Sequence, residues 1–186
     1  WQYLNGNGTT IHTRLLGKGY VNPTSTAAVN TSAATEFDYM DGFAPYFANS
    51  IGGYTPRQVY GFRRYPKVFD AVVYSPLVSD PLPRNVHNHN LTVKPELIII
   101  KQTTAVYASR NWAVGAPDLL GVTSSDTLGL NLDVAEGGTG TYDLFDSTQP
   151  TATQFTVGYN SAGVGVFGES YVAYLFATLA GVSKVG

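Results

Sequence analysis

Apolar positions along the chain come in short runs, β-branched or aromatic, each closed by turn residues. Such runs read as strands. Ala71-Val72-Val73-Tyr74 lies between Asp70 and Ser75-Pro76. Glu96-Leu97-Ile98-Ile99-Ile100-Lys101 follows Pro95, and its unbroken apolar middle predicts a strand buried on both faces. Trp112-Ala113-Val114 precedes Gly115. Gln154-Phe155-Thr156-Val157-Gly158-Tyr159 alternates, which puts Phe155, Val157 and Tyr159 on one face. The longest segment runs from Glu169 to Thr178, with Tyr171, Ala173, Leu175 and Ala177 opposite Val172, Tyr174 and Phe176. It has no internal breaker, so helix is the competing reading; large apolar side chains on both faces favour the central strand of a sandwich.

Polar, turn-rich stretches separate these pieces: Asn22 to Thr35, Ser75 to Asn90, Thr123 to Asp126, Glu136 to Gly140 and Asn160 to Gly168. The 20 Gly and 10 Pro are spread so evenly that few stretches of a dozen residues could stay helical. Short strands at this spacing predict an all-β fold, an antiparallel β-sandwich of jelly-roll or concanavalin A-like type. The two ends also echo each other. Trp1 corresponds to Trp112, Phe37-Asp38-Tyr39-Met40-Asp41 to Tyr142-Asp143-Leu144-Phe145-Asp146, and Val59-Tyr60-Gly61-Phe62 to Ala173-Tyr174-Leu175-Phe176. Chance likeness between Tyr-rich segments is the alternative to a tandem repeat. On the repeat reading, residues 1–70 are the rear part of a divergent preceding unit and 71–186 a second β-sandwich unit. The opening Trp1-Gln2-Tyr3-Leu4 has neither Met nor the basic and apolar stretches of a signal peptide, so a segment of a longer polypeptide is expected.

Composition narrows the function classes. Charged residues are 13% of the 186, about half the usual share, and the net charge is −2. A basic nucleic-acid surface is therefore not expected, and no apolar run reaches the ~18 residues of a membrane span. With 44% hydrophobic and 13% aromatic residues, a sizeable core is affordable. Cysteine is absent, which excludes disulfides, thiolate zinc sites and a thiol nucleophile.

Candidate chemistry is thin. Gly163-Val164-Gly165-Val166-Phe167-Gly168 fits G-x-G-x-x-G, but a strand follows it where a dinucleotide site needs a helix, so it reads as a hairpin loop and no cofactor is expected. His87 and His89 share a face in an extended segment and could ligate a metal, although hydrogen-bonded strand histidines are the plainer reading; no metal is expected. Asp126, Asp133, Glu136, Asp143, Asp146 and Glu169 form no pattern of paired glycosidase carboxylates, and calcium at Asp133, Glu136 and Asp143 is a further alternative. No catalytic residue is named and no enzyme is expected. Arg63-Arg64-Tyr65-Pro66-Lys67 is the one basic cluster, read as a solvated linker. Loop aromatics can stack on the apolar faces of sugars, which makes Tyr142 and Tyr159 the glycan-binding candidates.

One ordered series goes further. Phe62-Arg63-Arg64-Tyr65-Pro66-Lys67-Val68-Phe69-Asp70-Ala71-Val72-Val73-Tyr74 leads to His89-Asn90-Leu91-Thr92-Val93-Lys94-Pro95 and the strand after it, then to Asn111-Trp112-Ala113-Val114, Pro150 to Gly158, and Gly168 to Ala177. This series resembles a repeated domain of tailed-phage structural proteins, frequent in phages of aquatic bacteria and similar to concanavalin A-like sandwiches. Two positions depart from it: Ser75 to Asp80 replaces a Gly-rich turn, and Thr92 follows Leu91 where Gly is usual. The resemblance implies a virion location, in a tail fibre or other external appendage. It further implies a homo-oligomer, with a trimer as the expected form, among other virion tail proteins, with host-surface glycan as a candidate ligand and no nucleic-acid or membrane partner. A carbohydrate-binding module of a glycan-active enzyme and a capsid decoration protein are the alternatives.

Overall fold

The computed structural model describes residues 10–17, 19–30, 61–76, 85–104, 110–137, 144–159 and 163–186. Among them are nine strands, all paired antiparallel, and one 3-10 turn at Arg14–Leu16. The fold is an all-β antiparallel sandwich, as the spacing of the apolar runs predicts. The strands are β1 (Ile11–His12), β2 (Tyr20–Val21), β3 (Phe69–Tyr74), β4 (Asn85–Asn88), β5 (Leu97–Gln102), β6 (Ala113–Gly115), β7 (Leu128–Gly129), β8 (Gln154–Val157) and β9 (Tyr171–Phe176). Trp1, the 37–41 half of the internal echo and residues 59 and 60 lie outside the described residues.

A five-stranded sheet in the order β3-β9-β5-β6-β7 forms the middle layer. β9 is a strand and it is central, paired with β3 from Phe69↔Phe176 to Tyr74↔Tyr171 and with β5 from Leu97↔Phe176 to Gln102↔Tyr171. Its two apolar faces divide as the sequence divides them. Tyr171, Ala173, Leu175 and Ala177 join one core with Tyr74, Ile98, Ile100, Ala113, Leu144 and Phe145. Phe155 and Val157, from the separate β4–β8 ribbon, close that core. Val172 and Tyr174 belong to the opposite core with Phe69, Ala71 and Trp112, covered by Ile11 and Val21 of the β1–β2 hairpin. Each fully buried large side chain contributes about 1.5–3 kcal/mol, so two covers on one sheet account for much of the stability.

β4 lies inside Ser75 to Asn90, a stretch whose composition predicts turn. Its inward residues are Asn85 and His87, both polar, so no apolar alternation marks it. Gly115 is a packing requirement: a Cβ there would stand 2.6 Å from Phe145 Cε2 and closer still to Leu144 Cδ2, both side chains being fully enclosed.

The two ends of the sheet differ. At the near end the unit is entered at Phe69 and left at Phe176, which are cross-strand partners. Here Asp70, 1% exposed, ties the approach down: Arg64 Nε donates to its Oδ1, as does Ala71 N (2.9 Å), and Asn90 N donates to Oδ2 (2.7 Å). Arg64 is thus half of an ion pair rather than part of a solvated linker. Lys67 N donates to Leu91 O (2.7 Å) in the same clasp. Thr92 follows with φ +65°, the left-handed region that a β-branched residue adopts at a cost.

Two substitutions check this account. Thr92→Gly is expected to stabilise the fold by about 1 kcal/mol, because Gly accepts positive φ without the Cβ penalty. Gly115→Ala is expected to destabilise it by about 1–3 kcal/mol through overpacking. Urea midpoints at unchanged slope read both effects.

Candidate functional site

The far end of the sheet, at Tyr74↔Tyr171, carries the polar and aromatic groups that the core does not absorb. The two tyrosine rings stack at 5.3 Å with an 18° tilt. Their hydroxyls leave the core to hold the following loop: Tyr74 OH donates to Val164 O (2.8 Å), and Tyr171 OH accepts from Val166 N (3.1 Å). Burial raises both phenol pKa values, that of Tyr171 to about 12, so both remain neutral donors and acceptors at ordinary pH. The G-x-G-x-x-G segment is therefore a fixed turn between β8 and β9, with Gly163 at φ +103° and Gly168 at φ +84°. Phe167 stands on it, 50% exposed.

Beside this loop a small polar network crosses the end of the sheet. Thr104 Oγ1 donates to Glu169 Oε2 (2.6 Å) and accepts from Ser170 N (2.8 Å). Ser75 and Ser170 hydroxyls lie 2.9 Å apart, and Thr103 N donates to Ser170 O (2.8 Å). Glu169 itself is 1% exposed. It works as an inward acceptor that orders the turn into β9.

The sequence-predicted candidates fall in several places. Tyr159 follows β8 toward the far end and is 41% exposed, which takes it off the face shared by buried Phe155 and Val157. Tyr142 lies outside the described residues, as does Asp143. Asp133 and Glu136 are exposed. Asp126 closes its own turn by accepting from Thr123 N and Oγ1 (both 2.8 Å). Among the described residues no three His, Asp or Glu side chains gather as metal ligands would.

His87 and His89 do share a face, and both are buried. His87 packs 4.3 Å from the Tyr74 ring and 5.6 Å from Phe155; His89 lies 6.4 Å from Phe155 and its Nδ1 accepts from Leu91 N (3.2 Å). Phe155 thus sits against both imidazoles. Burial lowers the pKa of His87 to about 4 and that of His89 below the usual value, the latter opposed by a Thr151 backbone contact and the Asp70 charge. His12, under the other face, is lowered to about 4 by burial as well.

One site residue went unseen in the sequence. Lys101 closes the apolar run of β5, yet it is fully buried. A lysine two positions after Ile99, on the same inward face of a strand, was the available signal.

Residues 69–186 match a protein family described as Domain of unknown function (DUF7483). The chain belongs to this family. The DUF7483 match opens on the first residue of β3 and takes in β4 to β9, so it contains the whole five-stranded sheet, the β4–β8 ribbon and the far end, while Arg64 and Lys67 of the near-end clasp precede it. The β1–β2 hairpin precedes it. No curated protein and no solved structure matches the chain.

The histidines of the DUF7483 unit make its acid stability predictable. Unfolded imidazoles titrate near 6.5, whereas folded His87 titrates near 4. Above 6.5 neither state binds the proton. As pH falls from 6.5 toward 4 the unfolded state binds more protons, so stability is lost across that window. Unfolding free energy should fall over this range, and His87→Phe, which keeps the packing, should flatten the slope relative to the parent chain.

Proposed function

We propose that the chain is a non-catalytic structural segment of a phage virion, in a tail fibre or other external appendage, assembled as a homotrimer. The sequence series from Phe62 to Ala177 that resembles tailed-phage structural domains supports this reading, since its pieces fall on the strands and clasps that build the unit. The observation that carries it is the layout of the two ends. Phe69 and Phe176 are paired neighbours, so the polypeptide enters and leaves the unit at one end. The opposite end of the β3–β9 ladder lies away from that entry and exit. Loops on a rigid scaffold are where recognition groups are usually displayed.

Host-surface glycan is the ligand we assign to that end. Phe167 and Tyr159 offer exposed rings, and the Tyr74 and Tyr171 hydroxyls hold the loop that bears Phe167. A ring stacked on a sugar is worth about 1 kcal/mol. Useful attachment then depends on several copies acting together.

Locating the chain in a virion reconstruction tests the structural role. The expected result is density in a tail appendage in multiples of three; density confined to the capsid shell would replace fibre with decoration. Phage carrying Tyr159→Ala and Phe167→Ala together should assemble normally and adsorb several-fold more slowly. Normal adsorption would make the far-end loops spacers, and glycan hydrolysis by the isolated protein would favour an enzyme-borne binding module.

A further inference from the structure

The β4–β8 ribbon is a two-stranded sheet of its own, laid over one face of the five-stranded sheet, and it is attached unevenly. At the near end main chain pins it: Asn90 N donates to Asp70 Oδ2 (2.7 Å) and Lys67 N to Leu91 O (2.7 Å). Its ladder, the Gln154 Nε2 bond to Asn88 Oδ1 (3.0 Å) and the His89 N bond to Thr153 O (2.8 Å) join its two arms to each other. Toward the far end it is seated by packing. Phe155 and Val157 enter the core there, and the Tyr74 ring meets His87 at 4.3 Å and Phe155 at 5.7 Å.

Two imidazoles lie in that seam, His87 at 7% and His89 at 4% exposure. His87 Nε2 is buried and meets no hydrogen-bond partner among the described residues. A neutral ring bears this at modest cost, but an imidazolium donates from both ring nitrogens and carries a charge. The aromatic faces of Tyr74 and Phe155 return only part of that cost. His89 has the converse difficulty. Its Nδ1 accepts from Leu91 N (3.2 Å), so a proton added there sets donor against donor.

The surroundings offer neither ring a free counter-charge. Among the described residues, Tyr74 faces His87 with Tyr171 stacked behind it, and Asp70 faces His89. Both phenols stay neutral because burial raises their pKa values. Asp70 already accepts from Arg64, Ala71 N and Asn90 N, and the Arg64 guanidinium on it opposes a second cation.

We propose that the β4–β8 ribbon is an acid-released cover: protonation of His87 and His89 lifts its far end from the sheet, pivoting on the clasp at Asn90 and Leu91, while the five-stranded ladder stays closed. The opened state uncovers the face of β9 and β5 that bears Tyr171, Ala173, Ile98 and Ile100. The 163–168 turn keeps its anchors, since the hydroxyls that hold it do not titrate in this range. His12, the remaining histidine, lies in the other cover beside Thr10 Oγ1 (3.2 Å) and takes no part in this seam. The inference concerns a local opening short of global unfolding and does not depend on a virion role.

Hydrogen exchange of the full chain at pH 7 and pH 5, corrected for the intrinsic pH dependence of exchange, tests it. His87 titrates at about 4 when seated and near 6.5 when released, so the released form gains protons as pH falls. The opening equilibrium should rise about twentyfold over this interval from that residue alone. Peptides over 85–88 and 154–157 should lose protection by about that factor, while those over 97–102 and 171–176 keep theirs. His87→Phe, which retains a packed ring, should remove the rise. His89→Asn, which keeps an acceptor for Leu91 N and does not titrate, should reduce it, and His12→Phe should leave it unchanged. Equal loss of protection in the sheet peptides at pH 5 overturns local release. A ribbon response that survives both His87→Phe and His89→Asn overturns the assignment to these imidazoles, as does its disappearance in His12→Phe. If His87→Phe does not fold, the contrast between ribbon and sheet peptides in the parent and the response of His89→Asn still decide the outcome.

Discussion

A strand that is apolar on both faces has to be covered twice, and β9 imposes that requirement on the whole structure. Val172 to Leu175 are each no more than 2% exposed, with Tyr171, Val172, Ala173 and Leu175 at zero. Its two edges are occupied by β3 and β5, and its two faces need separate layers. The β4–β8 ribbon supplies one and the β1–β2 hairpin the other. The layers differ in origin. One lies inside the family domain and the other upstream of it, so the domain's own sequence leaves half of its central strand to be finished by a neighbouring segment.

Polar groups buried around this sheet are spent on geometry. Asp70 gathers Arg64, Ala71 and Asn90 at the near end, Lys101 gathers carbonyls under one face, and the Tyr74 and Tyr171 hydroxyls reach out to the 163–168 turn. Each satisfies donors or acceptors that would otherwise be stranded away from water. The result is a frame whose ends are defined by side chains from its middle. Exposed aromatic rings at the far end are therefore held by a rigid base, which limits the entropy lost when something stacks on them.

The strands with strong patterns were legible. Phe69–Tyr74, Leu97–Gln102 and Tyr171–Phe176 stand where β-branched and aromatic runs predict them, and the facing of β9 follows its alternation residue by residue. β4 was not legible because Asn85 and His87, its inward residues, are polar, and β1, β2 and β7 have only two residues each. Thr92 stands at φ +65°, where Gly would be unstrained. The candidate site was read less well. Tyr159 could be named as a loop aromatic, but the sequence aligned it with Phe155 and Val157, since nothing local says where β8 stops. Lys101 was hidden because its partners are carbonyls, which carry no side-chain signature, and two of the three lie some 75 residues away.

The pairing of Phe69 with Phe176 also decides how the unit bears load. Tension applied along the polypeptide pulls β3 and β9 apart from that end, so their ladder opens like a zipper, one hydrogen bond at a time, instead of shearing as a block. The parts that meet the force first are the clasps there. Ala177 N donates to Val68 O (3.1 Å), Glu96 accepts from Thr178 N (3.0 Å) and Oγ1 (2.7 Å), and Arg64 pairs with Asp70. Mechanically, the near end is a latch, and its few bonds set the force at which the domain would begin to peel.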